Sequence, residues 1–281
     1  MSALISIIMP AFAVEKHLEL FKQAINGIIN QTYKNWELLI TCDGGNPITI
    51  KSIIDIVGKH KDKRIQVYKS EKQFGPGIIR NMTVRYTKGK YLTFHDTDDY
   101  SEATRFEKLM SNMDSFGIIA SNITVKNLID GNVRGKIYTS STFDTIIKDG
   151  KVKPSIHFPS AIISIDLFKE IGGFEKYKYS SDSIMAIKLA YYRDLLNMPK
   201  IPIIQEALFI WNRHSYSITT LGDNAYKLKK CISAQRKPLR RIFRNRFIAG
   251  LIKKGDDKKK VKQELGLINN LVGLPALIRI K

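Results

Sequence analysis

Apolar residues along the chain alternate between two periods. Leu4 to Met9 (LISIIM) is a short, continuous, β-branched run closed by Pro10, the pattern of a strand buried on both faces. Leu18, Phe21, Ile25, Ile28 and Ile29 then repeat at helical spacing between about His17 and Asn30 and give one apolar stripe. Trp36 to Thr41 (WELLIT) predicts a second buried strand, ending at the turn Cys42-Asp43-Gly44-Gly45. The alternation continues with a helix over Ile50 to Lys59, a strand over Arg64 to Tyr68, a helix around Gly77 to Thr87 and a strand over Tyr91 to Phe94. Strand and helix in turn predict an α/β fold: a mostly parallel sheet covered by helices on both faces.

Such a sheet binds ligands beyond the carboxyl ends of its strands, which directs attention to the loops at Pro10, Asp43 and Asp96. Between Phe116 and Pro154 the periodicity weakens into short, polar, β-rich pieces. Regular structure returns at Ala161 to Ile165, a helix start at Asp166, a break at Gly172-Gly173 and an apolar helix over about Ser181 to Tyr192. From Tyr226 onward the pattern is helical and basic, which divides the chain into a domain over residues 1–222 and an extension over residues 223–281.

Charge sharpens that division. The chain of 281 residues carries +20, and 17 basic against 3 acidic residues lie from Tyr226 onward, so most of the excess sits in the extension. A polyanionic partner is implied. Arg236, Lys237, Arg240, Arg241, Arg244 and Arg246 are interleaved with Leu239, Ile242, Phe243 and Phe247, as a surface that tracks nucleic-acid phosphates would be. The competing reading docks the extension on an anionic membrane leaflet, with Leu265, Leu267, Ile268, Leu271, Val272 and Leu274 dipping into the interface. Neither a leader peptide nor an apolar run of about 20 residues is evident, so a soluble cytoplasmic protein is expected, with peripheral association at the inner membrane face left open. Cys42 and Cys231 stand far apart and suggest neither a disulfide framework nor a zinc site.

The densest chemistry is His95-Asp96-Thr97-Asp98-Asp99, directly after the strand YLTF. Three carboxylates in four positions repel one another unless a cation neutralises them, and oxygen ligation suits Mg²⁺ or Mn²⁺. An ion held there would bridge a diphosphate. The plainer alternative is an acidic turn in which Asp99 or Ser101 caps the next helix. Asp43 is either an acceptor for a nucleobase imide N–H or a turn former before Gly-Gly. Asp182 is either a carboxylate that takes a proton from an attacking hydroxyl or the cap of the helix IMAIKLAYY.

The motifs SIIMPAF, INQTY, NWELLITCDGG, FGPGIIRNMTVRYTKGKYLTFHDTDD, GGF and SSDS occur in one order. Over about Ser2 to Thr220 the chain thereby resembles the family 2 glycosyltransferases of the GT-A fold, a Rossmann-like mixed sheet. The resemblance implies transfer of a sugar from a nucleotide diphosphate donor, commonly UDP-linked, to an acceptor hydroxyl with inversion. It implies that Pro10, Ala11 and Phe12 line the nucleotide, that Asp43 recognises the base and that Arg80 sits near the donor. Asp96 would be the ribose-side member of the DxD motif, Asp98 the ligand of Mn²⁺ or Mg²⁺, Asp99 a support for the loop and Asp182 the general base. The segment Trp211 to Ser217 resembles the family's late loop, in which His214 would complete the metal shell and Arg213 would offset diphosphate charge.

The chain departs from the pattern at Cys42, where a paired aspartate is usual, at Ala13, where Asn is frequent, and at Ser181, where Glu is common. Three functional readings follow, the first, with DNA as acceptor, being the one the basic extension favours. A 5-hydroxymethylated pyrimidine in DNA, reached by flipping or at a single-stranded site, suits the basic extension and the enzymes of viruses that glycosylate such bases. An envelope glycan suits a membrane-docked enzyme. A non-enzymatic nucleic-acid-binding module would need the acidic turn to be no more than a helix cap.

Overall fold

The computed structural model describes residues 2–113, 115, 117–135, 142–143, 146–148, 151–153, 156–175, 182, 184–186, 188–189, 192, 200–216 and 270–280. Within them the sheet forms as the periodicity predicts. Strand β1 (Ile5–Ala11) pairs in parallel with β2 (Trp36–Cys42) and β4 (Tyr91–Phe94), and β2 pairs in parallel with β3 (Ile65–Lys69). Helices α1 (Leu18–Ile29), α2 (Pro47–Val57) and α3 (Pro76–Val84) are the crossovers. Helix α2 starts three residues before the expected Ile50 because Asn46 caps it, its Oδ1 accepting from Ile48 N at 2.9 Å, and Pro47 occupies the first turn.

Beyond β4 come β5 (Tyr100–Ser101), α4 (Arg105–Ser111), β6 (Ile118–Asn127), β7 (Val133–Gly135) and β8 (Thr142–Phe143). A separate hairpin of β9 (Ile146–Lys148) and β10 (Lys151–Lys153) precedes β11 (Ala161–Ser164), α5 (Ile165–Glu170) and β12 (Ile201–Arg213). The main sheet runs β13-β3-β2-β1-β4-β11-β6-β12-β5, with β13 (Ile278–Ile280) antiparallel to β3. Strand β11 is antiparallel to both β4 and β6, so β6 points the same way as β4, and β12 is parallel to β6. The carboxyl ends of β1, β2, β4 and β12 therefore share one edge of the sheet, and β11 enters from that same edge. This geometry gathers the site.

Alternate residues of the central strands face two different layers. Ile7, Met9, Leu38, Ile40 and Ile162 pack with Phe21, Ile25, Ile28 and Phe106 on one side. On the other, Ile8, Leu92, Phe94 and Ile163 pack with Phe158, Phe168 and Phe174. Continuous apolar runs were needed because neither face of these strands meets water.

Two elements differ from the sequence reading. Trp211, Asn212 and Arg213 are the last residues of the 13-residue strand β12 and not part of a loop, which begins only at His214. At the end of the extension, where helix is expected, residues 278–280 add a strand to the sheet edge and Leu277 is buried against Tyr68, Ile79 and Met82. Leu271 and Leu274, assigned to a membrane interface, pack on the protein's own core, while Val272 is exposed. The other residues of that set, and the arginine cluster over Arg236 to Arg246, lie outside the described residues, as does Cys231. Cys42 is a buried free thiol. No helix among the described residues is long and apolar enough to cross a membrane.

Gly89 is where the chain crosses closest to β1. Its N–H donates to Ser6 Oγ at 2.9 Å, and Ser6 Oγ donates in turn to the buried carboxylate of Glu37 at 2.7 Å. A Cβ at Gly89 would lie 2.7 Å from Ser6 N and 2.8 Å from Leu4 O, both backbone atoms that cannot rotate away. Gly89→Ala is therefore expected to destabilise the protein by roughly 1–3 kcal/mol, read as a lower urea midpoint at unchanged m-value.

Candidate active site

The acidic turn after β4 is held from beneath by one buried cation. Arg105, fully buried at the start of α4, donates through Nη1 to Ser101 Oγ at 2.8 Å and through Nη2 to Thr93 Oγ1 at 2.9 Å and Pro159 O at 2.6 Å. Its guanidinium also lies 4.9 Å from the Phe209 ring centroid. Burial brings its pKa down to about 9, partly offset by the negative field of Asp99.

His95 extends this network upward. Its Nδ1 lies 2.8 Å from the carbonyl oxygen of Asp96, which can only accept, so Nδ1 carries the proton. Ser101 Oγ already accepts from Arg105, so its hydroxyl donates to His95 Nε2 at 3.1 Å. The ring is thereby neutral, and burial, followed by the nearby Arg105 charge, brings its pKa down to about 4.

Each acidic residue has a different environment. Asp99 is buried, and its Oδ1 accepts from Asn212 N of β12 at 3.0 Å, while Asn212 Nδ2 donates to Asp98 O at 2.7 Å. Burial, then the charges of Asp98 and Asp96, push the Asp99 carboxyl well above the usual range. The helix-cap reading of this turn is thus overturned: α4 begins only at Arg105, and its cap residue Thr104 makes no side-chain cap bond. Asp99 ties the turn to β12 instead. Asp96 is 38% exposed at its side chain and pairs with the buried Arg80 at 2.6 Å. Asp98 lies 2.8 Å from His214 Nε2, with its side chain 24% exposed.

His214 follows the end of β12, so the topology brings together two residues 116 positions apart. His17 joins them from the turn before α1, its ring centroid 5.4 Å from that of His214 and its Nε2 3.0 Å from Thr97 Oγ1. Burial lowers the His17 pKa, the Asp98 charge opposing it. Neither His17 nor Arg105 was singled out in the sequence, where a lone histidine or arginine carries no spacing signal.

Asp43 is buried just after β2, and its two carboxylate oxygens accept from Phe74 N at 2.7 Å and Gly75 N at 2.8 Å. Burial raises its pKa against those two donors. Besides any base it meets, Asp43 therefore holds the loop that opens α3. Pro10 and Ala11 finish β1, Ala11 buried and its carbonyl accepting from Asp43 N at 2.8 Å, while Phe12 is 55% exposed. Ala13 has a left-handed backbone with φ of 50°, a conformation asparagine adopts more readily than alanine, which gives the departure at this position a physical meaning.

The remaining site residues face the other side of β12. Arg213 lies over Trp211, 5.7 Å from its ring centroid. The structure does not bring Arg213 to the Asp98–His214 pair, because neighbouring strand residues point to opposite faces and Asn212 takes the Asp98 side. The His157 ring rests against Phe209 and Trp211, at 5.6 and 5.3 Å between centroids, close enough to Asp182 and Asp96 for both to act on its charge. Asp182 itself is half-buried with helical backbone.

A family model described as glycosyl transferase family 2 matches residues 6–172. The chain belongs to glycosyl transferase family 2. An uncharacterised glycosyltransferase of Methanocaldococcus jannaschii is 31% identical over 221 residues, covering 76% of this chain and 73% of the relative. One of Haemophilus influenzae is 28% identical over 204 residues, covering 66% and 79%. A shorter match, 32% over 110 residues and 39% and 41% of the two chains, is to the UDP-Glc:α-D-GlcNAc-diphosphoundecaprenol β-1,3-glucosyltransferase of Escherichia coli.

Among solved structures, residues 1–349 of Staphylococcus aureus TarS in complex with UDP-GlcNAc superpose with a TM-score of 0.61 at 16% identity, covering 93% of this chain and 70% of that fragment. A mannosyltransferase of Pyrobaculum calidifontis in complex with GDP-Man and Mn²⁺ superposes at 0.56 with 14% identity, covering 96% and 70%. The GT-A fold expected of the family is the fold observed.

Because His95 is neutral when folded and titrates near 6.5 when unfolded, the unfolded chain binds the proton first as pH falls. The stability this contributes is present above pH 6.5 and is lost as pH drops towards about 4. It amounts to about 3 kcal/mol. His95→Gln is expected to flatten the fall in urea midpoint over that window relative to the wild type.

Proposed function

We propose that this glycosyltransferase moves a sugar from a nucleoside diphosphate donor, with UDP as the nucleotide, to a hydroxyl of a cell-envelope glycan, in a metal-dependent reaction that inverts the anomeric centre. The observation that carries the reading is the Asp98–His214 pair at 2.8 Å, beside a second carboxylate already neutralised by Arg80. A carboxylate oxygen and an imidazole nitrogen suit Mn²⁺ or Mg²⁺, and both face a partly open edge. Among the described residues no three His, Cys, Asp or Glu side chains come together to hold a metal, so the ion would need donor phosphate oxygens and water beside these two residues.

Asp98 and His214 would hold the ion, whose charge offsets that of the departing diphosphate. The chain's own groups do the rest. Asp43 offers a carboxylate to the base while fixing the loop at Phe74 and Gly75. Arg80 orients Asp96 for the ribose. Asp182 takes the proton of the attacking hydroxyl on the face opposite the leaving group. Arg213 serves as a contributor to donor charge only if its side chain leaves Trp211 on binding.

The relatives and the chemistry of the chain support a choice of acceptor. The Escherichia coli relative is named for a lipid-linked glycan acceptor, which supports a carbohydrate hydroxyl. The basic segment after Tyr226 supports a polyanionic partner, either the anionic leaflet that carries such glycans or DNA. We place the envelope glycan first and a 5-hydroxymethylated pyrimidine in DNA second.

The decisive experiment measures nucleoside diphosphate release from UDP- and GDP-sugars with Mn²⁺, adding in turn a lipid-linked N-acetylglucosaminyl diphosphate and DNA with 5-hydroxymethylated pyrimidines. Stimulation by the first supports the proposal, and sugar recovered on the second replaces its acceptor. Asp98→Ala is expected to abolish the Mn²⁺ dependence of UDP binding in calorimetry. Asp182→Asn should keep donor affinity and lose about 10²–10⁴-fold in kcat, and full turnover in both variants would sink the assignments.

A further inference from the structure

His157 precedes β11 at the edge where the site is built, and nothing in the proposed reaction uses it. Its ring is held against Phe209 and Trp211, at 5.6 and 5.3 Å, and its backbone carbonyl accepts from Ser160 N at 2.8 Å. Side chain and backbone are thus both fixed. Its Nδ1 is buried and has no hydrogen-bond partner. An unsatisfied buried nitrogen costs about 1–3 kcal/mol, and a protein that spends this on a rigid ring beside two site carboxylates needs a reason.

The surroundings identify what would fill the gap. Burial keeps His157 neutral, and Asp182 and then Asp96 are the acidic groups whose charges oppose that shift. Arg105 and Arg80 act in the opposite sense and balance them. A neutral imidazole nitrogen beside a proton-accepting carboxylate and a ribose-side carboxylate matches a neutral hydroxyl that can donate or accept. A hydroxyl can pair with Nδ1 in either tautomer of the ring, whereas an apolar group would leave Nδ1 unpaired.

We propose that His157 is a sugar-binding residue, its Nδ1 exchanging a hydrogen bond with a hydroxyl of the sugar that lies between Asp96 and Asp182. The inference rests on the glycosyltransferase reading of this site. Phe209 and Trp211 act as the wedge that prevents the ring from turning away. The sugar is either the one transferred or the one accepting it, and the same chemistry serves both.

His157→Phe tests it, because phenylalanine fills the space between Phe209 and Trp211 without the unsatisfied nitrogen and is expected to leave the melting temperature unchanged or higher. Affinity for UDP, which carries its ribose but no transferred sugar, should be unchanged. If the contact is to the donor sugar, affinity for UDP-GlcNAc or UDP-glucose, whichever the wild type hydrolyses, falls about 10-fold, the equivalent of about 1.4 kcal/mol. If it is to the acceptor, the KM for p-nitrophenyl α-N-acetylglucosaminide rises by a similar factor at unchanged donor affinity. His157→Gln, which keeps a polar atom, should recover part of either loss.

A variant with wild-type constants for both substrates, or one that loses only thermal stability, overturns the proposal. Absence of sugar-nucleotide binding and hydrolysis in the wild type itself would instead overturn the glycosyltransferase reading on which it rests.

Discussion

A buried guanidinium under an acidic turn is the constraint on which this site depends. Arg105 makes no ion pair among the described residues, yet it is fully buried, and its hydrogen bonds go to two hydroxyls and a carbonyl. Such a charge is costly to bury and is tolerated because Asp99 lies within its field. The arrangement works in both directions: Arg105 opposes the rise in the Asp99 pKa, and Asp99 opposes the fall in that of Arg105. Through Ser101 and His95 the same cation fixes the carbonyl of Asp96, so the backbone of the turn is set by a fully buried residue.

With the turn held from below, its carboxylates are free to diverge. Asp99 is turned inward to clamp β12, Asp96 is turned towards Arg80, and Asp98 is left beside His214 at the open edge. One short acidic sequence thus supplies a structural clamp, a carboxylate paired with Arg80 and a carboxylate paired with His214. Burial decides which is which, since desolvation penalises charge at Asp99 while water still reaches Asp96 and Asp98.

The far end of the chain contributes to the fold as well as to charge. Asn270 N donates to Gly172 O at 3.0 Å, Asn81 exchanges hydrogen bonds with the backbone of Phe174, and β13 covers the open edge of β3. An uncovered edge strand is a template for aggregation, so the returning segment 270–280 protects that edge of the sheet.

The strands and crossover helices of the first hundred residues were legible because a doubly covered parallel strand must be apolar throughout and an amphipathic helix must repeat at 3.6 residues. Asp43, Asp96 and Asp98 drew attention because loops after such strands are where ligands bind, and the family motifs added Asp182 and His214 as candidates. By contrast β12, β13, the clamp from Asp99 to Asn212 and the role of Arg105 were not. Nor was the meeting of His17, Asp98 and His214, or the position of His157 between Phe209 and Trp211. Each depends on residues far apart in the chain, brought together by the order and direction of strands in the sheet. Local periodicity tells a residue which way it faces within its own element; only the packing of elements decides what it faces.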